Sequence, residues 1–300
     1  PAGPDPRRPR PGGLMTRLID ELVTDQHIAH YQSEGCVRVE RVFDAETCTQ
    51  LARTLNDALR AFDAGTLQRT PDGSPHQNPP SVHRGDGQVQ LRNFAQHLPI
   101  LRDWLWNSVA AAVVARLMGA RHVRYWMDAS FIKEGSSAES ATPWHNDECT
   151  FPFRGEMMPS FWVALTDVPM ENAPIVTLAG SNRDPWRYHS PMSDPAAFEL
   201  EHIPWSHLER RVADPNAPRR VWPCAMGDIL LIHPKTIHAS LPRTAQYAGQ
   251  RIALTTRWLG DDVVWQPNRL TIRIPSIEST GLMKPGAPPP DELFPKVWPR

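Results

Sequence analysis

The stretch Gly227-Asp-Ile-Leu-Leu-Ile-His-Pro-Lys-Thr-Ile-His-Ala-Ser240 decides the fold. Its apolar run predicts a buried strand, and two histidines, His233 and His238, follow that run. Either histidine could bind a metal, but a histidine in such a place is more often a hydrogen-bonded core or rim residue. On a strand, residues five apart face opposite ways, so the stretch alone does not choose between them.

Short predicted strands, separated by glycine and proline, surround this stretch from Val123 onward. They cover residues 123–132, 160–166, 175–179, 228–233 and 251–258. Strands at this density, with turn signals between them, indicate a sandwich or jelly roll rather than alternating strands and helices.

Helices are predicted mainly before the strand-rich part. Thr24–Ser33 forms a short helix ended by Gly35, residues 36–43 alternate as a half-buried strand, and Asp44 caps a helix that runs to about Phe62. A further helix is predicted over 101–118. We therefore expect an α+β, mainly β chain with helices packed at its N-terminal side.

Two regions show no regular period. Residues 64–90 are rich in Gly, Pro, Ser and His and are expected to be a long loop, and residues 183–222 an irregular insertion. We expect these two regions, with Trp186, Tyr188 and Trp205, to form the mouth of a pocket. Their aromatic content favours an apolar or ring-bearing substrate.

Composition narrows the function classes. The 300 residues carry a formal net charge of -1, with 40% hydrophobic and 22% charged residues. Without a basic stripe a nucleic-acid partner is disfavoured, which leaves a small-molecule substrate. No apolar run is long enough to span a membrane. The four cysteines fall in no metal-binding spacing, so we expect free thiols and a cytoplasmic location.

The domain organisation is expected to be simple. Residues 1–14 are rich in proline and arginine and are predicted to be a flexible tail, and residues 15–300 to form a single domain. The sequence does not predict an oligomeric state.

A candidate metal site lies in Pro143-Trp-His-Asn-Asp147. In an extended chain His145 and Asp147, two residues apart, project from the same face. An imidazole and a carboxylate there supply two of the three ligands of a facial triad, which binds Fe(II) and leaves positions open. Alone this is weak evidence, because an HxD pair is expected about once by chance in a chain with so many histidines.

The strand Arg251-Ile-Ala-Leu-Thr-Thr-Arg-Trp258 strengthens the metal hypothesis. Its alternation places Arg251, Thr255 and Arg257 on one face. A guanidinium at the start of a strand beside the metal strand can bind the far carboxylate of a dicarboxylic co-substrate in a bidentate pair. An exposed strand-end arginine is an equally good interpretation of Arg257 and a weaker one of Arg251.

Together these motifs resemble the phytanoyl-CoA dioxygenase family of Fe(II)/2-oxoglutarate oxygenases. The resemblance covers residues 24–260 and also includes Tyr31–Val39, Phe151–Arg154 and Phe161–Leu165. It implies a double-stranded β-helix, or jelly-roll, core. The chain departs from the family at Glu171-Asn-Ala-Pro174 and Gly180-Ser-Asn182, where the family commonly has Glu-Asn-Gly-Gly and Gly-Ser-His. Because of these changes, the substrates of other family members are not assigned to this chain.

The resemblance implies roles for particular residues. The iron ligands are matched by His145, Asp147 and His238. The pair that binds the far carboxylate of 2-oxoglutarate is matched by Ser240 and Arg251. Trp162 matches a residue in contact with the co-substrate. His233 matches no ligand. Lys133 could reach the co-substrate or substrate, although an exposed lysine is the commoner case.

The implied activity is an oxidation with Fe(II), 2-oxoglutarate and O2, in which an unactivated C–H bond is hydroxylated and succinate and CO2 are released. Related halogenases replace the ligand carboxylate with a small residue, so Asp147 favours hydroxylation or desaturation. Three alternatives remain open: a cupin-like metalloenzyme without 2-oxoglutarate, a catalytically silent barrel with a binding role, and a protein-binding module built on the proline-rich ends.

Overall fold

We describe the protein from a computed structural model. The described residues are 18–67, 79–85, 87–95, 97–134, 140–185, 187–188, 202–203, 205–244, 247–268 and 271–299, and the side chains of 187, 202, 203, 205 and 206 are left out. The predicted tail 1–14, the residue Trp186 and the side chain of Trp205 lie outside this description.

Six helices are labelled along the described chain, after a helical turn at residues 18–22. They are α1 (Asp25–Glu34), α2 (Ala45–Asp63), α3 (Pro99–Asn107), α4 (Ala110–Met118), α5 (Trp205–Ala213) and α6 (Pro275–Glu278).

Fifteen strands are labelled in the same way. They are β1 (Cys36–Val39), β2 (Ser81–Gly85), β3 (Gln88–Arg92), β4 (Val123–Lys133), β5 (Phe153–Arg154), β6 (Ser160–Ala164), β7 (Ile175–Leu178), β8 (Arg187–Tyr188), β9 (His202–Ile203), β10 (Arg219–Trp222), β11 (Ile229–Ile232), β12 (His238–Ser240), β13 (Arg251–Leu259), β14 (Val264–Trp265) and β15 (Lys296–Trp298).

Eleven of the described strands build one large and one small antiparallel sheet, and the other four form two short pairs, β5 with β14 and β8 with β9. The large sheet has the order β1-β11-β6-β13-β4-β3-β2, with β15 beside β4, and the small sheet has the order β10-β7-β12. Trp162 and Leu230 of the large sheet share a buried cluster with Ile175 and Trp222 of the small one. The two sheets therefore face each other over a common core, and the predicted jelly roll in a mainly β chain is confirmed.

Helices cover the other face of the large sheet. Phe161, Ile229 and Leu254 point outward and join a large buried cluster with Leu55 of α2 and Val113 of α4. Inward-facing positions alternate with these, because successive residues of a strand point to opposite sides. The sheet thus has a helix-packed outer face and an inner face that is left for the site.

The first two helices begin and end where their capping residues predict. Thr24 accepts a hydrogen bond from the backbone N–H of His27, and Gly35 ends α1 with φ 76°, a left-handed conformation. Asp44 accepts from the backbone N–H of Thr47 at the start of α2. These short-range signals depend on neighbouring residues alone, which is why sequence was enough to locate them.

The helix predicted over 101–118 is two helices. The chain turns at Ser108, whose backbone is extended and whose Oγ accepts a hydrogen bond from the N–H of Ala110. Both halves bury apolar side chains, so their periodicity runs across the break and hides it.

Two regions predicted to be irregular contain regular elements. The described part of 64–90 carries the hairpin β2–β3, and the described part of 183–222 carries α5 and β10. The hairpin was missed because its inward positions hold Ser81, His83, Gln88 and Gln90, so it lacks the apolar alternation that marks a strand.

Within the described residues, no helix is both long enough and apolar enough to cross a bilayer. The four cysteines are free, as predicted, and all four are buried.

Candidate metal and co-substrate site

The three residues predicted to bind metal meet at one point. His145 and His238 form an isolated antiparallel bridge, with backbone N–H to carbonyl distances of 2.9 and 2.8 Å. One possible ligand atom from each of His145, Asp147 and His238 lies within 4.8 Å of the others. Among the described residues, this is the group of three or more His, Cys, Asp or Glu that could hold a metal ion.

Asp147 reaches this point by a turn rather than along a strand. Its backbone is helical, with φ -78° and ψ -35°, and a short 3-10 helix, Glu148–Thr150, follows. The N–H groups of Asp147 and Glu148 both donate to the carbonyl of Pro234, at 3.1 and 3.0 Å. His145 and Asp147 therefore approach each other as predicted. They do so through a turn that is fixed by the loop before β12, whereas an extended chain was expected from the sequence.

Backbone carbonyls orient both imidazoles. Nδ1 of His145 lies 2.8 Å from the carbonyl of Pro143, and Nδ1 of His238 lies 2.9 Å from that of Thr236. A carbonyl can only accept, so each Nδ1 carries a proton, and Nε2 is the ring nitrogen left to bind a metal.

Burial and charge keep His145 and Asp147 in the protonation states that bind metal. Burial and the neighbouring His238 lower the pKa of His145 to about 4. Burial alone would raise the pKa of Asp147, but Arg257 and the two histidines hold it well below the usual range. At neutral pH His145 is neutral and Asp147 is ionised.

Two side chains hold the carboxylate of Asp147. Ser160 Oγ donates to Oδ2 at 2.6 Å, and Arg257 Nη2 lies 3.3 Å from Oδ1. Ser160 and Arg257 face each other on β6 and β13, so the sheet register sets this clamp. The interpretation of Arg257 as an exposed strand end was wrong, since 12% of its side chain is exposed.

Arg251 lies at the other end of the same strand face. It is 2% exposed, and its Nε and Nη2 have no hydrogen-bond acceptor among the described residues. Its guanidinium carbon lies 5.1 Å from the ring centroid of Trp162, the sequence candidate for a co-substrate contact. Trp162 thus supports Arg251 by a cation–π contact, and free donors remain on the guanidinium.

Lys133 lies between Ser240 and Arg251 and contacts Ser240. Lys133 pairs with Arg251 in the register of β4 and β13, and its Nζ lies 2.7 Å from Ser240 Oγ. Contrary to the exposed lysine considered from sequence, the side chain is fully buried. Burial and the nearby Arg251 and Arg243 lower the pKa of Lys133 to about 6.

His233, the second histidine of the deciding stretch, is turned to another partner. Its Nε2 lies 3.0 Å from Glu156 Oε2, and its ring packs 5.9 Å from that of Tyr31. This position agrees with the prediction that His233 is not a metal ligand.

A cavity of about 560 Å³ connects the possible metal position with the guanidinium of Arg251. Its wall includes His145, Asp147, His238, Trp162 and Arg251. This volume is in the range of small-molecule sites. A possible metal position and a free guanidinium thus open into one space.

Comparison with known proteins gives a family and a fold. The sequence model described as phytanoyl-CoA dioxygenase (PhyH) matches residues 31–250. A curated relative, "Dioxygenase olcK" from Penicillium canescens, is 30% identical over 168 residues, which are 53% of this chain and 53% of that protein. The chain therefore matches about half the length of this relative.

Solved structures share the fold. The non-heme alpha ketoglutarate dependent carbocyclase SnoK aligns with a TM-score of 0.69 and 21% identity, over 92% of this chain and 97% of that one. The epimerase SnoN, solved with Fe3+, alpha ketoglutarate and nogalamycin RO, aligns with a TM-score of 0.62 and 19% identity over 94% and 99%. At these identities the likeness shows the fold.

Proposed function

The chain belongs to the phytanoyl-CoA dioxygenase family of non-haem iron(II)/2-oxoglutarate-dependent dioxygenases, and we propose that it hydroxylates an unactivated C–H bond of a small molecule. The co-substrate and O2 are consumed in this reaction, and succinate and CO2 are released. In this proposal His145, Asp147 and His238 hold the iron, while Arg251, Ser240 and Trp162 form the 2-oxoglutarate site.

One observation carries the proposal. Three metal-ligating side chains converge within 4.8 Å on a cavity that also receives a buried arginine with unpaired donors. A buried guanidinium without an acceptor is costly, and a carboxylate that binds there removes the cost. A cupin-like metal site that did not use 2-oxoglutarate would not need such an arginine.

The residues fit both groups that the family uses. Two imidazoles and one carboxylate are the donor set of the facial triad that binds Fe(II). The free donors of Arg251 fit a carboxylate, because the planar guanidinium can donate two parallel hydrogen bonds. Lys133 adds a second nitrogen beside Ser240, so we include it in the co-substrate site.

When bound, iron(II) and 2-oxoglutarate supply the oxidising chemistry: O2 gives one oxygen atom to the substrate and one to the succinate. The protein's own part is to bind and orient. Arg251 fixes the far carboxylate of the co-substrate, and the Trp162 ring limits the movement of Arg251. Ser160 and Arg257 fix Asp147. The cavity is lined near Arg251 by the apolar side chains of Trp162, Ile175 and Ile232, which exclude water from the co-substrate site.

Two further features of the proposal concern setting. The substrate is a small molecule, which a cavity of about 560 Å³ supports. The site of action is cytoplasmic, which the four free, buried cysteines support.

The proposal is tested by incubating the purified protein with Fe(II), 2-oxoglutarate and O2 and measuring succinate. We expect iron-dependent succinate formation that is lost in Asp147→Ala and kept in Asp57→Ala, a change at an exposed carboxylate on α2. With a substrate in hand, mass spectrometry separates the outcomes. Hydroxylation adds one oxygen, desaturation or ring closure removes two hydrogens, and epimerisation leaves the mass unchanged.

A further inference from the structure

The cavity continues past the metal site to an end that the co-substrate does not reach. Arg251 and Arg257 are six residues apart on the same face of β13, which is about 20 Å of extended strand. A five-carbon dicarboxylate anchored at Arg251 does not span that distance. Apart from Asp147, the groups near Arg257 are therefore available to another ligand.

A second arginine faces this end from the hairpin. Arg92 of β3 lies opposite Ala129 of β4, which lies opposite Thr255 of β13, so its side chain shares the inner face with Arg257. It is half-buried and lines the cavity. Its Nε donates to Gln90 Oε1 at 3.0 Å, which steadies the guanidinium.

Polar groups without partners lie at this end of the cavity. Nε of Arg257 and Oγ1 of Thr255 are buried and have no hydrogen-bond partner among the described residues, and both residues line the cavity. Buried polar atoms are normally satisfied, so unsatisfied ones that face a cavity point to a polar ligand.

The backbone at the end of the hairpin is held in an uncommon conformation. Asn93, next to Arg92, has φ 62°. Its N–H donates to the carbonyl of Asp128, whose buried carboxylate accepts from the N–H groups of Phe94 and Ala95 at 3.0 and 3.1 Å. Such conformations persist where surrounding structure imposes them and concentrate at ligand sites.

The charge balance gives the sign of the ligand. Histidines aside, the charged residues that line the cavity are Asp147, Arg92, Arg251 and Arg257, among those that the structure describes. Asp147 is already paired with Arg257 at 3.3 Å. Iron(II) and the 2-oxoglutarate dianion balance each other, so with both bound the cavity keeps an excess of two positive charges, one of them on Arg92 at this end.

The opposite wall of this end is apolar. Trp126, Phe151 and Ile274 are buried, belong to one hydrophobic cluster and line the cavity with Ile272. Arg257 lies over the Phe151 ring, 5.3 Å from its centroid, where the cationic and apolar walls meet. A ligand that fits both walls has an acidic group and an apolar body.

We propose that the substrate is a carboxylic acid with an apolar or aromatic body, whose carboxylate is bound by Arg92 and Arg257 at the cavity end away from Arg251. This rests on the proposed function and specifies its substrate class. Each guanidinium offers a planar pair of donors to an acidic group. A carboxylate, with one negative charge, suits this end better than a phosphate dianion, because Asp147 already balances Arg257.

The test uses a matched pair of ligands of the same shape. Naphthalene carboxylate and its primary amide are titrated calorimetrically, without O2, into the full chain saturated with Fe(II) and 2-oxoglutarate. We expect the acid to bind at least about tenfold more tightly than the amide, a difference of about 1.4 kcal/mol. Arg92→Gln should remove most of this preference, and Arg92→Lys should keep part of it because the charge remains.

Arg53→Gln is the control, since Arg53 is an exposed residue of α2. It should leave the acid preference unchanged. Equal binding of acid and amide, no binding of either at millimolar concentration, or an undiminished preference in Arg92→Gln would overturn the proposal. Tighter binding of naphthyl phosphate than of the acid would overturn the carboxylate assignment.

The 2-oxoglutarate titration that precedes these measurements keeps the two proposals apart. Failure of the protein to bind 2-oxoglutarate contradicts the proposed function. Normal 2-oxoglutarate binding without an acid preference contradicts the substrate class alone.

Discussion

Ser160 donates a 2.6 Å hydrogen bond to Oδ2 of Asp147, from the strand next to the one that carries Arg257. The carboxylate in the proposed metal site is thus fixed from the large sheet, while the backbone of Asp147 is fixed by Pro234 in the loop before β12. The geometry of the site depends on how the two sheets meet.

Ser160→Ala should weaken iron binding. The change leaves the ligand in place but removes the donor that orients it, and loss of such a partner lowers metal affinity by about 10–100-fold. Titration of the apoprotein with Fe(II) measures the effect. Ser33→Ala, at an exposed serine, is the control. Unchanged affinity in Ser160→Ala would mean that Asp147 is held well enough without it.

Arg251→Ala should raise the Km for 2-oxoglutarate. Loss of one partner of a buried charge pair costs roughly 2–5 kcal/mol, or about 30-fold to 4,000-fold in Km. Arg251→Lys should rescue this only in part, because lysine lacks the planar fork. Succinate formation at varied co-substrate concentration gives the Km. The same Km in wild type and Arg251→Ala would remove Arg251 from the co-substrate site.

The affinity for 2-oxoglutarate should fall as pH rises above about 6. Burial, Arg251 and Arg243 lower the pKa of Lys133 to about 6 in the protein without ligand, so the amine is mostly neutral at neutral pH. A bound carboxylate favours the charged amine, so binding takes up a proton once pH exceeds that value. The affinity then drops by up to about tenfold per pH unit.

Lys133→Met removes this titration and should flatten the pH dependence, whereas Lys284→Met, at an exposed lysine, should not. Calorimetry of 2-oxoglutarate binding in two buffers of different ionisation enthalpy counts the proton directly. Absence of proton uptake in the wild type would show that Lys133 does not change its charge on binding.

Gly227→Ala should destabilise the fold strongly. Gly227 has φ 91°, and an added Cβ would collide with the backbone carbonyl oxygen of Phe43. The conformational and steric costs together amount to roughly 2–5 kcal/mol in the free energy of unfolding. Gly119→Ala is a matched control with φ 69° and open space around it. Urea unfolding compares the two, and equal losses would show that the close approach to Phe43 is unimportant.

Much of the fold could be predicted because its signals are local. The strands β4, β6, β7, β11 and β13 carry enough apolar residues to be recognised, and the caps of α1 and α2 involve residues three or four apart. The hairpin β2–β3 could not be recognised, because its inner face lines a cavity and is polar. Ala173 shows a similar limit: it adopts φ 53° where the family commonly has glycine.

In the candidate site too, some residues could be predicted from the sequence and others could not. His145, Asp147, His238 and Arg251 lie in motifs whose spacing is visible in the sequence. The surroundings of Lys133 and Arg257 depend on strand register, which brings Lys133 beside Arg251 and Arg257 beside Ser160. A charged side chain is usually exposed, so the sequence favoured exposure for Lys133 and left it an equal alternative for Arg257. A buried charge becomes visible only when the facing strand is known.

The most direct test of the account is an anaerobic titration of the apoprotein with Fe(II) and then 2-oxoglutarate, followed by visible absorption. The account predicts a metal-to-ligand charge-transfer band when both are present, and a weaker band in Arg251→Ala at low co-substrate concentration. Fe(II) binding without any such band on addition of 2-oxoglutarate would contradict it.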